Sequence, residues 1–308
     1  MQRRTFLSAA GGVVASGAAI DASASQTQPE SAQVASKFSM HFAPHFGMFR
    51  HHAGDDLVAQ LEFAADQGFT AWEDNGMRSR SIEEQEKLAS AMGRLGIRMG
   101  VFVLNPDSAW GPTFSQGKQE DLDNFAKACQ DSVEVAKRVN AKWMTVVPGT
   151  MHPRIDVEYQ TAYAVEQLRL GAEILEPHNL VMVLEPLNPR NHPNMLLAKM
   201  SHAFEICRAV NSPACKILCD IYHQQITEGN LIPNIDRAWS EIGYFQMGDN
   251  PGRNEPTTGE INYSNVFRHI QTKGFAGILG MEHGNSKPDK AGEQDVIDAY
   301  RTCEPSES

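Results

Sequence analysis

The chain has 308 residues, long for one compact domain but within reach of a single α/β barrel, which routinely runs to ~200–250 residues, once a leader is set aside. Hydrophobic residues make up 41% and charged residues 21%, a globular balance that excludes wholesale disorder, and 24 Gly with 16 Pro exclude collagen-like and Pro-rich architectures. With 27 Lys and Arg against 38 Asp and Glu, the net charge of −11 repels phosphate backbones, so no nucleic acid partner is expected. The five cysteines form no C-x-x-C pair, and their odd number leaves at least one thiol free. Cys215 and Cys219 flank Ile217 and Leu218 in an apolar run, so packing is their expected role.

The N-terminus reads Arg3-Arg4-Thr5-Phe6-Leu7, followed by a weakly apolar stretch to Ile20 and then Ala22-Ser23-Ala24. Paired arginines ahead of such a stretch and an A-x-A site resemble a twin-arginine export signal over residues 1–24. The apolar run is too short and too rich in Gly, Ser and Ala for a stable membrane span once the signal is cleaved. A periplasmic or extracellular location follows as an expectation, with 25–36 as a flexible leader, 37–303 as the domain and 304–308 as a tail.

From Lys37 onward, short apolar runs alternate with amphipathic stretches. The runs predict eight strands: Phe38–Ala43, Phe69–Glu73, Arg98–Val103, Trp143–Val147, Val181–Glu185, Lys216–Asp220, Tyr244–Met247 and Ile278–Glu282. Helical spacing marks 55–66, 82–95, 119–139, 156–175, 201–210, 264–273 and 291–302, with a weaker pattern around 230–240 that Pro233 helps to start. Ser81 and Glu84 stand at capping-box spacing ahead of the second of these helices. Eightfold β-then-α alternation predicts an α/β fold, a single (β/α)₈ TIM barrel. An open doubly wound sheet would advertise a Gly-rich phosphate loop after its first strand; here Pro44-His45-Phe46-Gly47-Met48 follows.

In such a barrel the active site lies where strands end. Strands five to eight end on or beside Glu185, Asp220, Gln246 and Glu282, which place three carboxylates and one amide oxygen near the same rim. A buried carboxylate cluster repels itself unless a cation neutralises it, and all-oxygen donors suit Mn²⁺ or Mg²⁺, with Co²⁺ a further candidate, better than Zn²⁺. His41 and His45, on or just after strand one, Glu73 at the end of strand two and Trp110 in the loop after strand three are positioned to meet a substrate. Adjacent residues rarely point the same way, so His51-His52 reads as a solvated loop.

Residues 37–303 resemble the hydroxypyruvate isomerase family within the xylose-isomerase-like TIM barrels. The resemblance is carried by Leu184-Glu185-Pro186-Leu187-Asn188, Asp220-Ile221-Tyr222-His223-Gln224-Gln225, Pro251-Gly252-Arg253-Asn254-Glu255-Pro256 with Gly259-Glu260-Ile261-Asn262-Tyr263, and Gly280-Met281-Glu282. It implies a divalent metal on Glu185, Asp220, Gln246 and Glu282. Glu185 and Glu282 would also be the acid/base pair, and His223, Arg253 and Asn188 would lie on the substrate side. The implied activity is aldose–ketose interconversion of a small keto acid or sugar through an enediolate. Ketose 3-epimerases usually carry His where Gln246 stands, which favours the hydroxypyruvate isomerase side. The chain departs from the family pattern at Arg190-Asn191 and at Arg253-Asn254-Glu255. A ketose 3-epimerase or an exported lyase acting on 3-keto sugars would use the same parts. A periplasmic sugar-binding barrel would have no need of two bases around one metal. A homo-oligomer is compatible with all of these.

Overall fold

The computed structural model describes residues 35–305. The twin-arginine segment and nearly all of the expected leader lie outside the described residues, as do the last three residues.

The elements alternate as the sequence predicts. In chain order they are β1 (His41–Ala43), α1 (Arg50–Ala53), α2 (Leu57–Asp66), β2 (Ala71–Trp72), α3 (Ile82–Leu95), β3 (Arg98–Met99), α4 (Gln119–Val139), β4 (Trp143–Val146) and α5 (Val157–Leu175). There follow β5 (Val181–Leu184), α6 (Met200–Val210), β6 (Cys215–Asp220), α7 (Ile221–Thr227), α8 (Leu231–Ala238), β7 (Ile242–Gln246), α9 (Tyr263–Thr272), β8 (Ile278–Gly280) and α10 (Lys290–Cys303). Local chemistry sets many of the boundaries. The carboxylates of Asp56 and Asp289 and the amide oxygen of Asn262 accept from the first free amides of α2, α10 and α9. Asn140 and Asn211 end α4 and α6 in the left-handed conformation at φ 53 and 57. At α3 only half of the expected capping box forms. Ser81 Oγ accepts from the Glu84 amide, but the Glu84 carboxylate turns to Arg80, 3.2 Å away.

All strand pairs are parallel. Six strands run in the order β1-β8-β7-β6-β5-β4, and β2 pairs with β3. Isolated bridges, His45 to Glu73 and Val103 to Thr145, join the two sheets at both seams, so the ring of eight closes. One residue from each strand or its direct extension fills the lumen: Ala43, Ala71, Val101, Trp143, Val183, Leu218, Tyr244 and Ile278. This is the layered interior of a packed barrel rather than a pore. A larger apolar layer separates sheet from helices. Within it Phe42 of β1 meets Phe267 of α9 and Tyr300 of α10, with ring centroids 5.0 and 4.8 Å apart. The five cysteines are buried free thiols. Among the described residues no helix is long and apolar enough to cross a membrane.

Apart from strands shorter than predicted, two segments take a different secondary structure from the one expected. Ile221 to Gln225, read as the tail of the strand-six motif, belong to α7, which runs directly off the strand because Asp220 both ends β6 and caps the helix by accepting from the His223 amide at 3.2 Å. His51 and His52 belong to the short α1 rather than to a solvated loop. The buried carboxylate of Glu293 accepts from both of their amides and from His52 Nδ1.

Candidate active site

Sheet register gathers the rim residues. A shift between Ile217 and Leu218 brings Asp220 level with Gln246, and Gln246 lies level with Gly280 on β8. Glu185 follows β5 directly, and Glu282 lies two residues beyond β8. Glu185, Asp220 and Gln246 are buried, and the Glu282 side chain is only a quarter exposed.

The carboxylates stand close enough to disturb one another. Burial, then the charges of Glu282 and Asp220, push Glu185 well above the usual carboxylate range, with Arg253 acting the other way. Glu282 is also raised, chiefly by desolvation, and Arg253 again offsets the effect. Arg253 Nη2 donates to Asp220 Oδ2 at 3.0 Å and to Glu282 Oε2 at 2.5 Å, while its Nε donates to the Glu282 carbonyl at 3.0 Å. The guanidinium lies over the Tyr222 ring, 4.8 Å from its centroid. Burial works against its charge, but Asp220 and Glu282 more than compensate and raise its pKa further. Arg253 therefore sits at the carboxylate cluster itself.

One group of potential metal-holding atoms comprises Glu185, Asp220 and His223, all within 4.8 Å of one another. The hydrogen bonding argues against His223 as a ligand. Its Nδ1 faces two donors, the Asn188 amide at 3.2 Å and Asn188 Nδ2 at 2.6 Å. The orientation of the Asn188 amide is fixed, because its Oδ1 accepts from the Arg190 and Asn191 backbones. Nδ1 is thus the bare nitrogen and Nε2 carries the proton. Nε2 points at Glu185 Oε1 and Asp220 Oδ2, each 3.6 Å away, as a donor would. Burial keeps the ring neutral by lowering its pKa to about 4.

Gln246 supplies a better candidate. Its Nε2 donates to Glu73 Oε1 at 2.6 Å, and its buried Oε1 has no hydrogen-bond partner among the described residues. An orphaned buried amide oxygen is a costly arrangement alone and a fitting one for a hard cation. The Gln246 oxygen thus joins Glu185, Asp220 and Glu282 as a candidate ligand, with Glu282 outside the group of atoms that lie within 4.8 Å of one another.

Two adjoining cavities of about 300 Å³ each lie at this rim, and of the four expected ligands Glu185 and Glu282 line them. Glu185, Glu282, His223, Arg253 and Trp110 line the first. His45, Glu73 and Glu282 line the second, and Asn75 borders both. The indole of Trp110 is 61% exposed and stacks on His192 with ring centroids 5.5 Å apart, forming one wall of the mouth. His45 contacts the carbonyls of Phe46 and His283. Three expected substrate contacts are otherwise engaged. Asn188 is fully buried against His223 and its own loop, both oxygens of Glu73 are taken by Tyr244 and Gln246, and His41 pairs with Thr70 outside both cavities. Asn75, His192 and Thr145 were not singled out from the sequence. Asn75 donates to Glu282 Oε1 at 2.9 Å, and the unpartnered Thr145 Oγ1 belongs to a residue lining the first cavity. Asn75 could have been found, since it continues the polar run Glu73-Asp74 off strand two.

Comparison with known proteins agrees with this architecture. Residues 61–303 match the xylose isomerase-like TIM barrel family. The chain is 28% identical over 235 residues to a 2-oxo-tetronate isomerase of Pectobacterium atrosepticum, covering 74% of this chain and 86% of that one. It is 28% identical over 270 residues to hydroxypyruvate isomerase of Escherichia coli, covering 86% and 99% respectively. Among solved structures, D-psicose 3-epimerase with D-tagatose from Clostridium cellulolyticum H10 superposes with a TM-score of 0.70 at 17% identity, covering 86% of this chain and 98% of that one.

Proposed function

Because the chain belongs to the xylose isomerase-like TIM barrel family, we propose that it is a metal-dependent isomerase of a small hydroxy-carbonyl substrate, with hydroxypyruvate and 2-oxo-tetronate the first compounds to test. The observation that carries this reading is the placement of Glu185 and Glu282 on one cavity, beside Asp220, Arg253 and the unpartnered Gln246 oxygen. The residues that would hold the cation are Glu185, Asp220, Gln246 and Glu282, and Mn²⁺ or Mg²⁺ suits their oxygens. When bound, it would polarise the carbonyl and offset the charge that develops on the substrate oxygens.

The chain's own groups account for the proton traffic. One of Glu185 and Glu282 removes the proton from the carbon bearing the hydroxyl. The other, protonated at the outset, gives its proton to the former carbonyl carbon, the hydroxyl proton passes between the neighbouring oxygens, and proton exchange with solvent resets the two carboxyl groups. Asn75 holds Glu282 Oε1, which fixes the direction of that carboxylate. Arg253, with its planar fork at the cavity wall, is the candidate to recognise an anionic or oxygen-rich end of the substrate. Return of the proton to the opposite face of the same carbon would instead make the protein an epimerase. We also infer export by the twin-arginine route from residues 1–24.

The test is Glu185→Gln and Glu282→Gln, assayed for turnover and for solvent deuterium entering hydroxypyruvate, 2-oxo-tetronate and a panel of ketoses. Each variant should lose at least the ~10²–10⁴ typical of one acid/base group. One should lose exchange outright, while the other still exchanges without forming product. Near-normal turnover in both, with metal bound, would place the chemistry on other residues.

A further inference from the structure

Glu73 sits under the rim, 2% exposed, where a polar side chain must answer for its burial. Its two oxygens have separate partners. Oε2 accepts from Tyr244 O–H at 3.0 Å, and Oε1 accepts from Gln246 Nε2 at 2.6 Å. Tyr244 is itself wholly buried in the barrel lumen. The result is a polar chain, Tyr244–Glu73–Gln246, that passes from β7 to the end of β2 and back to the rim of β7.

The barrel makes room for this chain at two glycines. A Cβ on Gly280 would collide with Glu73 Oε2 and come within 3.0 Å of Gln246 Cγ. A Cβ on Gly100 would collide with the Tyr244 hydroxyl. Neither glycine has a positive φ, so the backbone does not require them; the space does. They come from strands on different sides of the ring and clear the same path. A void filled by three hydrogen-bonded polar groups, where apolar side chains would pack, is a built feature rather than a packing accident.

We propose that Glu73 is a positioning residue that sets the orientation of the Gln246 amide and so directs Gln246 Oε1 at the cation. Glu73 Oε1 accepts from the NH₂ end of the amide at 2.6 Å, which leaves the carbonyl end facing away from Glu73 and unpartnered. Without Glu73 the amide would be free to turn its NH₂ group toward the cation, where it repels instead of binding. This inference rests on the metal reading above and goes beyond it by assigning a role to a residue outside the ligand set.

The test is Mn²⁺ affinity measured by calorimetry on Glu73→Met, Gln246→Met and the double variant. Met keeps the length of Glu and Gln without their polar ends. Glu73→Met should raise Kd by the ~10–100-fold typical of losing a group that orients a ligand. In the Gln246→Met background the same change should have no further effect. The metal-free Tm of Glu73→Met should fall, because the Tyr244 hydroxyl and the Gln246 NH₂ group lose their buried partner, so affinity is read well below the variant's melting transition. Tyr244→Phe, the milder change, should raise Kd less and again only when Gln246 is present, which covers a Glu73 variant that fails to fold. Unchanged affinity in Glu73→Met and Tyr244→Phe would overturn the inference. So would losses that add fully in the double variant, since they would show Glu73 acting by charge alone. A wild-type chain that takes up no divalent cation would defeat the metal reading and this inference together, whereas normal wild-type uptake with unaffected variants would defeat only this one.

Discussion

Arg253→Ala removes the guanidinium that bridges Asp220 and Glu282. Alanine is the right replacement because Arg253 has φ 52, and glycine would relieve backbone strain as well as remove the charge. The side chain loses hydrogen bonds of 3.0 and 2.5 Å to the two carboxylates, one of 3.0 Å to the Glu282 carbonyl, and its position over Tyr222. Removing one partner of a buried ion pair costs about 3–5 kcal/mol. The Arg253 side chain is 29% exposed, so the lower end, about 3 kcal/mol, is the appropriate figure. At roughly 2–4 °C per kcal/mol for a domain of this size, metal-free Tm should fall by roughly 6–12 °C. The freed carboxylates should then bind a divalent cation more tightly than in the parent. A tenfold gain in affinity adds about 1.4 kcal/mol to the stabilisation by saturating Mn²⁺, so the metal-induced rise in Tm should be larger in the variant. Thermal melts of chelator-treated protein, with and without Mn²⁺, read both quantities. An unchanged metal-free Tm, or a metal-induced rise no larger than the parent's, would refute the view that Arg253 and the cation share these carboxylates.

Trp110→Ala should raise KM several-fold, lower kcat less, and leave Tm within about 1–2 °C, because the indole is mostly exposed and forms a wall of the cavity mouth; equal KM in steady-state assays would show that substrate does not touch it. Asn188→Ala should cost about 1–3 kcal/mol in denaturant unfolding, since the amide serves His223 and two backbone groups at a buried site, and a loss under 0.5 kcal/mol would mean that His223 is held by other contacts.

The alternation of strands and helices was legible because each period stands out against polar connections. Strands two and three were read as Phe69–Glu73 and Arg98–Val103, yet their regular pairing covers only Ala71–Trp72 with Arg98–Met99. The remainder of each predicted run still carries barrel hydrogen bonds, such as Gly100 N to Trp72 O at 2.7 Å and Thr145 N to Phe102 O at 2.8 Å, but not as a continuous ladder. Strand-end position was enough to place Glu185, Asp220, Gln246 and Glu282 on one rim. It could not reveal direction. Glu73 stands at a strand end as they do, but whether it turns up to a substrate or across the lumen depends on the space at Gly280, on a strand remote in sequence. Tyr244 reads as one more apolar strand residue until its hydroxyl is seen to face a carboxylate. Asn188 lies within a motif that signals substrate contact, and only its burial against His223 shows that it orients a ring instead.

The division of oxygen atoms at the rim ties these findings together. Protein donors already hold Asp220 Oδ1, through the His223 amide, and Glu282 Oε1, through Asn75. Gln246 Oε1 has no partner, and Glu185 receives only the 3.6 Å approach of His223 Nε2 among the described residues. The two atoms that remain, Asp220 Oδ2 and Glu282 Oε2, are the pair held by Arg253 Nη2. Each of the four expected ligands thus has one oxygen outside the grip of neutral donors, and the guanidinium occupies two of them. A cation that took all four would have to displace Arg253 from that pair. The displaced fork would remain at the cavity wall, where a substrate carboxylate or hydroxyl could meet it. Metal uptake and substrate recognition would then be coupled through one side chain, so substrate should bind more tightly to the metal-loaded protein even where it makes no contact with the metal.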